Sequence, residues 1–212
     1  MRRLSIVMVA LVLAGCMQPS GEPAKGFISP KIGNVYIPLE GSAYLVLEGD
    51  AAAVSLGNNV AVTNAHNANL VDSKMLIGKS TNYDLLFFHT PKATTELPEA
   101  PPRVGEMVIA YGQAGGGALR KAEGVITDLN APVKALCDKC EVQSAFTFKG
   151  DAGPGFSGGP VVDATDGHLV GIIFGYVDEP GGPANRLIYA YTMSRVATEL
   201  DDVQRKLPTD VD

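Results

Sequence analysis

Apolar and polar positions alternate with short period along most of the chain, in runs bounded by Gly, Asn, Asp or Pro. Nine such runs read as strands: "VYIPLEGSAYLVLEGD", "AAAVSLGNNVAVTNAH", "KMLIGKS", "YDLLFFHT", "EMVIAYGQ", "KAEGVITDL", "EVQSAFTFKG", "SGGPVVDATDGHLVGIIFGYV" and "NRLIYAYTM". Helical spacing is absent until "SRVATELDDVQRKL", residues 194–207, where Val196, Leu200 and Val203 fall on one face. Between the two groups of strands lies "TPKATTELPEAPPRVGE", whose prolines cannot serve in a central strand, so it reads as a crossing linker. The pattern predicts an all-β protein of two small barrels with one connection and a closing amphipathic helix.

Composition is compatible with that picture and narrows the function. The 212 residues are 46% hydrophobic and 19% charged, enough to fold unaided around one or two cores. The net charge of −6 comes with scattered Lys and Arg, and the chain has no Trp. Neither a basic groove nor a stacking platform for bases is indicated, so no nucleic-acid partner is expected.

The amino end reads as a targeting segment rather than as part of the fold. Arg2 and Arg3 precede the apolar run "LSIVMVALVLAG", too short for a spanning helix, and then Cys16. The tetrad "LAGC" resembles the lipobox of bacterial lipoproteins. That resemblance implies a signal peptide over 1–15 and lipid on Cys16. It places the domain on the bacterial cell envelope, in the periplasm or outside the cell, with the membrane as a partner through its lipid. The expected order is then a flexible tether over 16–35, an N-terminal barrel over 36–98, a C-terminal barrel over 99–192, and a helix and tail over 193–212. Two cysteines remain, Cys137 and Cys140 in "LCDKCE". The pair could be a redox centre, half of a zinc site or a local disulfide. With no second ligand pair and no βαβ surroundings, a disulfide is preferred and no metal is expected.

The chemistry centres on "GDAGPGFSGGPVVD", residues 150–163, which sets Ser157 among glycines. A serine hydroxyl is a poor nucleophile until a base, an acid orienting that base and donors for an oxyanion surround it. "NNVAVTNAHN" places His66 in a small-residue turn after an alternating strand, a candidate base. "TNYDLLFF" places Asp84 at the start of a very apolar strand, where a carboxylate needs a partner. Each residue alone is more readily explained as a turn or cap residue. His89 in "FFHT", His168 in "DGHLV" and Asp72 are rivals with poorer settings: His89 is expected exposed or structural, His168 in a hairpin.

Together, "VTNAH", "YDLLFF" and "GPGFSGGPVV" resemble the three catalytic blocks of the trypsin-like serine proteases. The segments "VGEMVIAYGQAGGG", "AEGVITDL" and "GHLVGIIFGY" before "LIYAYTM" are similar to the bacterial periplasmic high-temperature-requirement branch. The resemblance covers about residues 40–205. It implies a chymotrypsin-like fold of two six-stranded antiparallel Greek-key barrels with a C-terminal helix, and an active site in the cleft between them. Ser157 matches the nucleophile, His66 the base, Asp84 the orienting acid, and the N–H groups of Gly155 and Ser157 the oxyanion hole. The implied activity is that of a serine endopeptidase acting on peptide or protein substrates without a cofactor.

Three departures qualify the match. Only 18 positions separate His66 from Asp84, shorter than is usual in the family, so the connecting hairpin must be trimmed. Phe156 stands where digestive enzymes carry an acid that pairs with a newly cut amino terminus, which implies that no such activation step operates. No peptide-binding second domain is expected after the protease block. For the substrate pocket, Asp151 sits six residues before Ser157, the offset of trypsin's pocket acid. Phe174 and Tyr176, expected in the pocket wall, argue instead for small or medium apolar side chains. A catalytically silent protease-fold lipoprotein that binds extended peptides along a strand edge is the alternative reading.

Overall fold

The computed structural model describes residues 20–41, 50–91, 97–114, 117–131 and 145–207. The chain begins there with a short strand, β1 (Glu22–Pro23), and a helix, α1 (Pro30–Val35). A sheet of five antiparallel strands follows, built from β2 (Tyr36–Leu39), β3 (Ala51–Gly57), β4 (Val60–Thr63), β5 (Leu76–Lys79) and β6 (Leu86–His89), in the order β2-β3-β4-β6-β5. The β3–β4 hairpin turns through Asn58 and Asn59, both at positive φ (49° and 60°), the handedness that matches strand twist in a two-residue turn.

The second half is a closed barrel. Its strands are β7 (Met107–Ala114), β8 (Ala118–Asp128), β9 (Ala145–Gly150), β10 (Pro160–Asp163), β11 (Leu169–Val177) and β12 (Arg186–Thr192). Antiparallel pairing runs β10-β7-β8-β9-β12-β11 and returns from β11 to β10. The first half of β8 carries β1 as an added strand, with Glu22 opposite Lys121 and Pro23 opposite Arg120. The chain closes with α2 (Met193–Arg205), capped by Thr192 Oγ1, which accepts from the Arg195 N–H at 3.2 Å.

The all-β fold with a closing helix agrees with the sequence pattern, and α2 starts one residue before the expected 194–207 segment and ends two residues short of it. The first half shows five strands among the described residues; the remainder of the run across 42–49 lies outside them, so the sixth strand is not described. The described part of the expected tether, residues 20–35, is packed rather than loose. Ile32 and Val35 are buried, Ser29 caps α1, and the Ile28 N–H donates to Tyr111 Oη at 2.8 Å. Apolar Phe27, Ile32 and Val35 lie on the protein because they complete its core, a signal outweighed in the sequence by the nearby Pro and Gly. Cys16, Cys137 and Cys140 fall outside the described residues.

Three apolar clusters hold the fold, and their placement sets up the site. One fills the second barrel, with Val108, Phe146, Phe148, Val161, Val170 and Ile188 at its centre and Phe156 of the Ser157 loop among them. Another lies between the halves and takes in Val54, Phe87, Tyr111, Ile172, Tyr191 and Val196 of α2. A smaller one sits on the far face of the first sheet, around Leu39, Ala53 and Phe88. β3 is buried on both faces, which explains its run of alanines: Ala52 faces one cluster and Ala51 and Ala53 the other. Gln113, buried on β7, donates through Nε2 to Leu39 O and Ala51 O, both at 2.6 Å, tying the two halves together beside the Ser157 loop.

Candidate active site

His66 leaves β4 in a two-turn 3-10 helix, Ala65–Leu70, and Asp84 arrives in the loop just before β6. β4 and β6 are paired neighbours, with Thr63 opposite Leu86, so residues 18 apart in sequence come together at one end of the sheet. His66 Nδ1 lies 2.6 Å from Asp84 Oδ2, and the His66 backbone N–H donates to Asp84 Oδ1 at 3.0 Å. Both carboxylate oxygens are thereby engaged by one residue, which fixes the imidazole's orientation and leaves Nε2 as its other nitrogen. The short connection between the two residues does not prevent this contact. It is spanned by two 3-10 helices and the short edge strand β5.

The Asp84 backbone is held from both halves. Fully buried Asn64 donates through Nδ2 to Asp84 O at 3.0 Å. From the second barrel, Tyr191 Oη accepts the Asp84 N–H at 3.2 Å. Burial pushes the Tyr191 phenol well above its ordinary pKa, so it stays neutral. The loop ahead of Asp84 is pinned by Ser80, whose hydroxyl donates to the buried Glu199 of α2 at 2.7 Å and accepts the Tyr83 N–H at 3.0 Å. Tyr191, Asn64, Ser80 and Glu199 were not singled out from sequence. The only sequence signal for them is polarity at positions that a strand or helix pattern would bury, as with Glu199 between Val196 and Val203.

Ser157 stands on a loop that only glycines can follow. Gly155 (φ +89°) and Gly158 (φ +79°) are left-handed, and a Cβ on them would run into Gln113 O and Ala52 O, respectively. The loop's own bonds run from the Phe156 N–H to Gly153 O (3.0 Å), from Gly159 to Phe156 O (2.9 Å) and from Gly158 to Ile173 O (2.8 Å). Among the described residues, none of these uses the N–H of Gly155 or Ser157. The Ser157 carbonyl is fixed by the Ala52 N–H at 2.9 Å, so β3 of the first half grips the loop of the second. Phe156 is fully buried in the barrel core and anchors the loop where an acid was absent from the motif.

His66, Asp84 and Ser157 line one cleft of about 750 Å³, with Phe174, Gly175 and Tyr176 forming its wall. Phe174 stacks on Tyr191 with ring centroids 4.0 Å apart at 13°, so the wall and the support of Asp84 share one aromatic pair. Asp151, the expected pocket acid, is not brought there. Its Oδ1 lies 3.6 Å from Arg186 Nη1, because β9 and β12 pair Gly150 with Arg186 and set a guanidinium beside the next residue of the chain. The rivals lie elsewhere: His89 is exposed at the end of β6, His168 Nδ1 is 3.1 Å from Asp166 Oδ2, and Asp72 caps the Ser73–Met75 turn.

The sequence profile of the trypsin-like peptidase domain matches residues 41–172. The chain belongs to the trypsin-like peptidase family. Solved structures share the fold of this trypsin-like peptidase at low identity. An inactive form of Rv3671c from M. tuberculosis H37Rv is 18% identical with a TM-score of 0.65, over 91% of this chain and 100% of that one. The MamO protease domain from Magnetospirillum magneticum is 17% identical with a TM-score of 0.62, over 81% and 98%. The HtrA-type protease AlgW with a decapeptide is 19% identical with a TM-score of 0.60, over 74% of this chain and 52% of that one. No curated protein matches in sequence.

Proposed function

We propose that this peptidase is a serine endopeptidase acting through Ser157, His66 and Asp84. The observation that carries the reading is the 2.6 Å contact of His66 with Asp84 at the mouth of the cleft that Ser157 also lines. In this mechanism Ser157 Oγ attacks the peptide carbonyl carbon while His66 Nε2 takes its proton. The oxyanion faces the N–H groups of Gly155 and Ser157. Collapse breaks the C–N bond, and the imidazolium returns the proton to the leaving amine. Water then attacks the acyl-enzyme, giving a proton to His66, and the second collapse releases a carboxylic acid and restores Ser157. Asp84 holds the imidazole's Nδ1–H throughout.

The cleft wall favours small or medium apolar side chains over lysine or arginine, since Phe174 and Tyr176 narrow it and Asp151 is turned toward Arg186. AlgW's decapeptide complex supports the idea of a peptide as ligand. Cys16 in its "LAGC" setting supports a lipid anchor on the bacterial cell envelope. The chain from Cys16 to the docked Ser20 could reach about 14 Å at full extension, which would keep the protease close to the bilayer.

Labelling with a fluorophosphonate tests the catalytic reading. Modification at Ser157 that disappears in Ser157→Ala supports it. Folded protein that is not labelled refutes it in favour of the silent peptide binder. Loss of detergent-phase partitioning in Cys16→Ser tests the anchor separately.

A further inference from the structure

The stretch at residues 20–24 lies directly beneath the catalytic loop. The Gly21 N–H donates to Asp151 O at 2.7 Å and the Ala24 N–H to Leu119 O at 3.0 Å. Arg120 Nε donates to Ser20 O at 2.7 Å and its Nη2 to Gly21 O. Gly21 is left-handed (φ +66°), and a Cβ there would sit 2.6 Å from both Lys121 O and the Phe156 ring. The ring that anchors Ser157's loop therefore rests on this segment as well as in the barrel.

Arg186 joins these parts to the substrate wall. Its Nη1 donates to Ser20 Oγ at 2.9 Å and lies 3.6 Å from Asp151 Oδ1, while its Nε donates to Asp178 Oδ1 at 2.8 Å. The same guanidinium lies 4.6 Å from the centroid of Tyr176, a ring of the cleft wall. Gly153 admits no side chain because Ser20 Oγ and Arg186 Nη1 occupy the space. One planar cation thus touches the amino-terminal segment, the start of the catalytic loop and the wall of the cleft, which a fork of five donors and a stackable face can do.

We propose that residues 20–24 are a strap that positions the active site, with Arg186 as the positioning residue that couples the strap to the Ser157 loop and to Tyr176. Seated, the strap supports the Phe156 ring and the Asp151 carbonyl, so the loop keeps the shape that presents the Gly155 and Ser157 N–H groups. Unseated, it leaves Arg186 without Ser20, frees the underside of the loop and loosens Tyr176. Phe156 cannot form an ion pair with a new amino terminus, and the strap fills the supporting position by packing and backbone bonds. The catalytic consequence rests on the serine-endopeptidase reading; the mechanical coupling does not.

The test uses the full chain and two readouts: amide hydrogen exchange across residues 151–158, and the rate of fluorophosphonate labelling together with kcat and KM on a peptide library hit. Gly21→Val, which cannot be seated, and Arg186→Ala are expected to speed exchange at 151–158 and to slow labelling, each tenfold or more, with exchange across 51–63 unchanged. Arg186→Lys, which keeps the charge and a donor for Ser20, is expected to restore the loop's protection but leave KM raised, because a lysine cannot also cover Tyr176. Ser20→Ala must shift the same readouts in the same direction, and it decides the matter if Gly21→Val does not fold. Faster exchange at 20–24 with the loop and labelling unchanged overturns the strap. If the parent protein is not labelled at all, the endopeptidase reading fails, and exchange at 151–158 alone decides: a rise upholds the strap and no change overturns it.

Discussion

The Asp84 backbone N–H donates to Tyr191 Oη across the boundary between the two halves, at 3.2 Å. The acid that orients His66 in the first half is thus positioned by a strand of the second. Tyr191→Phe keeps the stack on Phe174 and removes only the acceptor. The expected result is a loss of about 1 kcal/mol in stability and up to about a tenfold fall in kcat with KM little changed, measured by urea unfolding and peptide hydrolysis.

Removing the proposed nucleophile or the orienting acid should abolish turnover without unfolding the protein. Ser157→Ala is expected to lose fluorophosphonate labelling altogether. Asp84→Asn is expected to lower kcat by about four orders of magnitude, the scale of an imidazole held in the wrong tautomer. Peptide hydrolysis near parental rates in either variant would contradict the assigned roles.

The Ser157 loop should not tolerate a side chain at Gly155. Its φ of +89° is left-handed and the added Cβ would meet Gln113 O. Gly155→Ala is expected to cost about 2 kcal/mol or more in urea unfolding and to abolish labelling, because relief of the clash moves one of the two proposed oxyanion donors.

Cleavage preference should follow the wall rather than Asp151. Tyr176→Gly is expected to admit larger apolar side chains in a substrate-library profile. Asp151→Asn is expected to leave the profile without any loss of cleavage after lysine or arginine, since that carboxylate faces Arg186. A parent profile dominated by basic residues would overturn this assignment.

A carboxyl pair at the end of β10, Glu106 with Asp163, gives a pH signature. Burial and the neighbouring Asp163 raise the Glu106 pKa, whereas Asp163 is lowered by hydrogen bonds from Thr165 and Glu106, which outweigh its burial. Glu106 thus favours folding when protonated, a contribution present below its unfolded pKa and lost as pH rises through its raised folded value. Asp163 contributes above its unfolded pKa and loses that contribution as pH falls through its lowered one. Glu106→Gln, neutral at every pH, is expected to remove the alkaline-side loss, so its urea midpoint should gain on the parent between acid and neutral pH. Parallel curves for the two proteins would refute this.

Much of the architecture was legible in the sequence because strand signals are local. Alternating apolar runs bounded by Gly, Asn and Pro marked the strands, and the spacing of Val196, Leu200 and Val203 marked α2. Ser157, His66 and Asp84 were legible as candidates because their immediate neighbours are unusual: glycines that permit left-handed turns, small residues around a histidine, and a carboxylate opening an apolar strand. Each of those is a constraint on a few consecutive residues.

Tertiary structure decided what depends on residues distant in the chain. Asp151 carried the right offset for a pocket acid, yet the pairing of β9 with β12 put Arg186 beside it and turned it from the cleft. Residues 20–35 read as a tether because their composition is loose, while their anchorage comes from Arg120, Arg186 and the Phe156 ring, about 100 or more positions away. Tyr191 and Glu199 looked like ordinary strand and helix residues until the halves closed on Asp84 and Ser80. Local backbone preference can be read from a few neighbouring side chains, but electrostatic partners and packing neighbours exist only once the chain has brought remote residues together.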